Sequence, residues 1–327
     1  MRKLLLGTTA LAAAATLTAN AALADVSISG SAEWKYQSRS SNATANDGTK
    51  FASDNDMTVN FTNKTDSGLT VTYRVDFDTD AGDGSAFGSD ETSITIAGGF
   101  GNIVLDLDDD AADAYNLDER DLIAEDEAPA VTSMTIGTSS SISSDDAMKV
   151  AYHLPAMGGL TAGISHTDRG AAGGTDSTSY GARYSMEAAG ASITLGYAAV
   201  QDENATQDVD LENMGMKIVS GDISMIISQG GSESDDEDIE NQGASISYKM
   251  PNGMTIGAYT FKSEDDLDAG EEYSRNGVEL QYTIASGLTA VINVDDYDYK
   301  EGTSDGTTTL HVDDKGTQTQ LTIKAAF

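Results

Sequence analysis

Cysteine is absent from the 327 residues, so disulfides and thiolate chemistry are excluded. Three prolines, one tryptophan and three histidines are all the chain has of those types. Bases are scarce: 18 Lys and Arg stand against 54 Asp and Glu, a formal charge of −36. A phosphate backbone would be repelled by that excess, which excludes nucleic acid as a partner. After residue 24 no apolar run approaches the roughly 20 residues that a membrane-spanning helix needs. Enzyme chemistry also lacks its parts. His153, His166 and His311 lie far from any serine motif, and no G-x-S-x-G, zinc spacing or phosphate loop occurs. The glycine-aspartate repeats of a secreted acidic solenoid are missing too.

What is present begins with an address. Arg2 and Lys3 precede a short apolar stretch, Leu4 to Leu17, and Ala22-Leu23-Ala24 offers small residues before a cut. This reads as a secretory signal peptide over residues 1–24. Its removal takes away two bases and no acid, leaving −38 on a mature chain of residues 25–327.

That chain alternates. Val26, Ile28, Trp34 and Tyr36 interleave with Ser27, Ser29, Lys35 and Gln37; Val71, Tyr73, Val75 and Phe77 interleave with Thr72, Arg74 and Asp76. Sixteen such segments can be counted, a period-2 pattern that denotes strands. Only Met254–Lys262 is ambiguous about which face is apolar. Short glycine-containing turns and longer acid-rich gaps join the segments in alternation, the layout of an outer-membrane barrel. The set opposite the apolar one is Thr, Ser, Asn, Lys and Asp, which cannot form a dry core but can line water. The fold class is therefore all-β: an antiparallel transmembrane barrel of sixteen strands, apolar face toward lipid, closed so that no backbone group is left unpaired. Tyr36, Tyr73, Tyr152, Tyr248, Tyr259, Tyr282, Tyr297 and Tyr299 lie near strand ends and are expected in interfacial aromatic girdles.

The longest gap, about residues 108–147, is the third on the long-loop side. Asp106 to Glu127 holds eleven acids against one base, Arg120. Long loops in compact strand proteins are usually functional, and this one is expected to fold into the lumen and narrow it. Asp106, Asp108, Asp109, Asp110, Asp113, Asp118, Glu119 and Asp121 are its candidate constriction acids. Inward-facing bases should be Lys35, Arg39, Lys64, Arg74, Lys149, Arg183, Lys217, Lys249, Arg275 and Lys324. Lys64 and Lys324, near strand ends, are expected at the periplasmic rim. Lys35, Arg74 and Arg183 are the candidates for the constriction wall. Asp108, Asp109 and Asp110, with Asp113, offer hard oxygen ligands that would suit calcium, although no EF-hand spacing is present. No other cofactor is expected.

Four features carry a family resemblance: the Ala22–Ala24 cleavage site, the opening strand Asp25-Val-Ser-Ile-Ser-Gly-Ser-Ala-Glu-Trp34, the acidic third loop, and the closing strand ending on Phe327. Together they resemble the general porins of Gram-negative bacteria, nearest the alphaproteobacterial, Rhodobacter-type porins. The resemblance implies an outer-membrane homotrimer with the third loop in the lumen, passing ions and small hydrophilic solutes. It also implies an arginine cluster facing the acidic loop. This chain departs there, since its wall bases are sparse and mostly lysine. The acid excess leads us to expect cation preference. A substrate-specific channel and a structural or adhesive barrel are the alternatives that the sequence leaves open.

Overall fold

The computed structural model describes residues 24–42, 47–78, 88–106, 110–125, 127–129, 131, 134, 136–142, 147–168, 176–203, 208–267, 270–300 and 313–327. All but the last residue of the expected signal peptide, and Asp108 and Asp109, lie outside them. The described residues form sixteen strands, one for each alternating segment. They are β1 (Asp25–Ser41), β2 (Gly48–Lys64), β3 (Thr70–Asp78), β4 (Gly88–Gly98), β5 (Gly101–Asp106) and β6 (Lys149–His153). Then come β7 (Leu160–Thr167), β8 (Asp176–Ala188), β9 (Ala191–Glu203), β10 (Asp208–Ser220) and β11 (Ile223–Glu233). The last are β12 (Asp238–Lys249), β13 (Met254–Asp265), β14 (Glu272–Ala285), β15 (Leu288–Lys300) and β16 (Asp314–Ala326). Between β5 and β6 lie a short helix, α1 (Ala111–Tyr115), and a 3-10 helix, Glu119–Leu122. No described helix is long and apolar enough to cross a membrane, a finding that does not bear on crossing by strands.

Every strand pairs antiparallel with its sequence neighbours, and β1 pairs with β16 to close a barrel. The C-terminal residue finishes the seam: the Phe327 N–H donates to the Gly30 carbonyl at 2.9 Å. Farther along it, Arg39 on β1 donates to Asp314 on β16 at 2.8 Å, and the Tyr297 hydroxyl donates to the same carboxylate at 3.1 Å. Short turns on one rim need left-handed residues. At the β8–β9 hairpin, Ala189 (φ 53°) and Gly190 (φ 80°) both take that conformation, as a two-residue type I′ turn requires.

Register lines the apolar residues into continuous rows on the outer face. Met214, Met216 and Ile218 on β10 stand beside Tyr197, Leu195 and Ile193 on β9. Val278, Leu280 and Tyr282 on β14 stand beside Val294, Ile292 and Ala290 on β15. Farther along the same two strands the outward pairs become Asn276 with Asp296 and Ser274 with Asp298, so the apolar belt has a sharp edge. Val278, Ile227 and Ile292 are about half exposed, which in water would be unfavourable and in hydrocarbon is not.

The aromatic residues divide differently from expectation. Tyr73, Tyr248 and Tyr282 are exposed on the outer face, as an interfacial girdle requires. Tyr259, Tyr297 and Tyr299 are not: they point inward and are buried. Phe261, Tyr273, Tyr297 and Tyr299 join Ile136 and Ile239 in an apolar cluster inside the barrel. This also explains the ambiguous segment Met254–Lys262. Its outward set is Met254, Ile256 and Ala258, while Tyr259 and Phe261 face in, so apolar side chains occur on both faces.

An arginine replacing Met225, which stands between Ile223 and Ile227 along β11 and beside Ile218 and Ile246 on the neighbouring strands, should cost about 2–4 kcal/mol of stability in lipid vesicles. Denaturant unfolding of the vesicle-embedded barrel measures it. No loss would show that this face does not meet hydrocarbon.

Candidate functional site

The segment between β5 and β6 follows the inner wall. α1 packs on β6, β7, β8 and β9, and the 3-10 helix packs on β11, β12 and β13. Each begins with an aspartate cap. Asp110 accepts from the Asp113 N–H at 2.9 Å, and Asp118 accepts from the Arg120 N–H at 2.7 Å. These caps satisfy donors that a helix start leaves unpaired.

The wall supplies the remaining partners through inward-facing polar residues. Ser165 and Ser179 accept the N–H groups of Ala111 and Ala112. Asn213 accepts the Leu117 N–H at 3.1 Å and donates to the Ser140 carbonyl at 2.6 Å, tying two passes of the loop together. The two oxygens of Glu279 take the N–H groups of Ala124 and Glu125 at 2.9 and 2.8 Å. Asn293 donates to the Glu125 carbonyl, and Arg275 and Gln318 donate to that of Glu127. Val131, Met134 and Ile136 complete the hold by packing with the inward aromatic cluster. Burying one such side chain is worth about 1.5–3 kcal/mol.

The candidate residues separate into three groups. Asp110 and Asp118 serve the loop's own helices, and both are buried. Glu119 is buried with the hydroxyls of Ser140 and Ser228 at 2.7 and 3.0 Å from its carboxylate. Asp113 and Asp121 remain partly or well exposed to the lumen. Asp106 ends β5 in register with Lys149. Of the four residues considered for calcium, Asp110 and Asp113 are described, and among the described residues no group of three or more His, Asp or Glu could hold a metal ion.

The bases also differ from one another. Arg183 donates to the backbone carbonyls of Tyr115 and Asn116, so it anchors the loop. Lys35 sits among four carboxylates: Glu33 and Asp54 at 3.5 Å, Glu125 and Glu127 at 3.8 Å. Lys50 reaches Glu127 at 3.4 Å. Lys324 is not a rim charge. It donates to the Ala124 carbonyl at 2.6 Å and pairs with Glu33 at 3.0 Å. Arg74 pairs with Asp76 on its own strand at 2.6 Å.

Four acids that the loop-centred reading of the sequence passed over line the wall around Arg74. Asp54 reaches Lys35, Asp56 accepts from Ser31, Asp76 pairs with Arg74, and Asp78 stands opposite Asp56 in register. Period-2 alternation with Lys50 and Arg74 was the signal that could have found them. In a ring of sixteen, β2 and β3 lie eight strands from β10 and β11. The segment Leu117–Asp121 thus faces an acidic wall across the lumen.

Burial raises the pKa of Glu119, with Asp118 adding to the rise and the two serine hydroxyls opposing it. Burial also raises that of Asp121, with Asp118 adding and Lys217, Arg183 and Arg120 opposing. At Glu127 burial works upward too, but Gln37, Lys50 and Lys35 outweigh it and the pKa is lowered.

Glu279→Ala should leave two loop N–H groups without their acceptor, a loss of about 1–3 kcal/mol. Amide exchange at Ala124 and Glu125 should speed up while Leu117, held by Asn213, stays protected; equal protection throughout would refute the clasp. The raised Glu119 pKa has a definite sign. Its folded-state proton affinity exceeds the unfolded one, so its stabilisation is full below the unfolded value and is lost as pH rises through the folded value. Glu119→Gln should therefore match the parent in acid and exceed it at neutral pH in thermal unfolding. A variant weaker than the parent at neutral pH would contradict this.

The sequence pattern of the Gram-negative porins matches residues 7–326. No curated protein sequence matches significantly. Among solved structures, one described as an anion-selective porin from Comamonas acidovorans superposes with a TM-score of 0.70 at 14% identity, covering 93% of this chain and 100% of that one. A trimer form of OmpT, an outer-membrane protein of Vibrio cholerae, gives 0.69 at 12% identity over 93% and 99%. A mutant of the Rh. blastica porin gives 0.64 at 12% identity over 93% and 100%. At such identities these likenesses establish the fold alone.

Proposed function

Because the chain belongs to the Gram-negative porin family, and so is an outer-membrane channel protein, we propose that it passes ions and small hydrophilic solutes by passive diffusion and prefers cations. The carrying observation is the charge on both sides of the lumen. Asp113 and Asp121 face the water from the loop, and Asp54, Asp56, Asp76 and Asp78 line the wall across from it. The bases do not balance them. Arg74 pairs with Asp76, Arg275 pairs with Asp295, and Lys35, Lys50 and Lys324 are shared among Glu33, Asp54, Glu125 and Glu127. Arg183 keeps its charge while donating to loop carbonyls, and these acids still outnumber these bases. Rings of carboxylates select cations, with a reach set by a Debye length of about 8 Å at physiological salt. The Comamonas neighbour's description gives the opposite preference, so the sign belongs to the side chains and not to the fold. Export through a leader of residues 1–24 and assembly as a homotrimer in outer-membrane lipid complete the reading. The trimer form of the Vibrio neighbour supports the latter.

The test is the reversal potential of a planar bilayer held across a potassium chloride gradient. Cation preference is expected, weakening as salt rises. It should also weaken on acidification, beginning with Asp121, whose raised pKa makes it accept a proton before an ordinary aspartate near 3.9. Asp121→Asn should remove that first step and leave the remainder. Anion preference in the parent protein would overturn the reading.

A further inference from the structure

The loop lies partly within the thickness of the wall, because several wall positions carry no side chain where it passes. On β10, Asn213 and Gly215 are successive inward positions. Asn213, buried, holds the Leu117 N–H. At Gly215, Leu117 occupies the space that a side chain would take: a Cβ there would lie 2.6 Å from the Leu117 Cβ and closer still to its carbonyl oxygen. Gly196, paired with Gly215 in register, leaves room for the same residue, whose Cδ1 would be 2.8 Å from an added Cβ. On β12, a Cβ at Gly243 would overlap the Glu119 carboxyl group. Glycine in a strand interior costs about 0.5–1 kcal/mol relative to alanine, and close backbone approach is a recognised reason for it. The obstacles differ in kind. At Gly215 an added methyl meets loop backbone, which must move as a whole. At Gly243 it meets only the end of one side chain, itself fixed by Ser140 and Ser228.

We propose that Gly215 and Gly243 are positioning residues that set the bore of the channel. By leaving out a side chain they let residues 117–119 seat deeper in the wall, and that depth fixes the clearance to β2 and β3 opposite. The direction follows from the ring: β10 and β2 are eight strands apart among sixteen, so a segment lifted off β10 advances toward Asp54 and Arg74. This rests on the channel reading above, and it adds where the width is determined.

Single-channel conductance in planar bilayers, with liposome swelling by sugars of graded size, tests it on the full-length protein. Gly215→Ala and Gly243→Ala should each lower conductance and the sugar size limit beyond the spread of parent channels. Adding Glu119→Ala should restore conductance to Gly243→Ala, because it removes the group that the new methyl displaces. It should not restore Gly215→Ala, where the obstacle is backbone. That split is one a general loss of stability would not produce. Single-channel records count only folded, inserted barrels, so poor folding lowers their frequency and not their size. If Gly215→Ala yields no channels at all, the Gly243 pair decides alone. Parent-like conductance in Gly243→Ala, or failure of Glu119→Ala to restore it, overturns the proposal. A parent protein without conductance would instead overturn the channel reading.

Discussion

Within hydrocarbon no water is available to a peptide N–H or C=O, and that one constraint orders the rest of this molecule. An open sheet would leave a row of such groups unpaired, at several kcal/mol each. Sixteen strands joined in sequence and closed from β1 to β16 give every described strand a hydrogen-bonded partner on both sides. Closure then gives each strand two unlike environments. One set of side chains meets lipid and must be apolar; the other meets the lumen and is free to be polar, charged or absent. The sharp edge of the outer belt, from Val278 with Val294 to Asn276 with Asp296, is that constraint read residue by residue.

A wet interior cannot hold a long loop by hydrophobic collapse alone, so the inner wall acts by several means together. Side chains of Ser165, Asn213, Glu279 and Asn293 answer the loop's backbone groups one by one. Apolar loop residues join the inward cluster of Phe261, Tyr273, Tyr297 and Tyr299. This division of labour has an electrostatic consequence. Arg183, held against the loop carbonyls of Tyr115 and Asn116, keeps its charge on the loop side of the lumen. The acids of β2 and β3 lie across the ring from those of the loop, with Lys35 and Arg74 set among them.

How much of this was legible in the sequence depended on whether the signal was local. All sixteen strands were legible, because outward rows such as Met214, Met216 and Ile218 need only a period of two. The faces of Tyr259, Tyr297 and Tyr299 were not. Alternation reports which residues share a face, but apolar side chains on both faces of β13 leave the choice of face to contacts with Ile136 and Met134, more than a hundred residues away. The acidity of the third loop was plain from composition, yet the roles of its members were not. Asp118 and Glu119 are adjacent, and one caps a helix turn while the other is buried against Ser140 and Ser228. Nothing local marks the wall glycines either, because the residues seated on them, Leu117 and Glu119, belong to a distant part of the chain.

The central claim is that an open aqueous path runs between loop residue Asp121 and wall residue Asp54 while Ile292 faces lipid. The absence of native cysteine allows a direct measurement with single replacements, Asp54→Cys, Asp121→Cys and Ile292→Cys. A charged, membrane-impermeant thiol reagent added to a conducting bilayer should step the current down in the first two and leave the third unchanged. Inert cysteines at both Asp54 and Asp121, or a current block from the one at Ile292, would contradict the account.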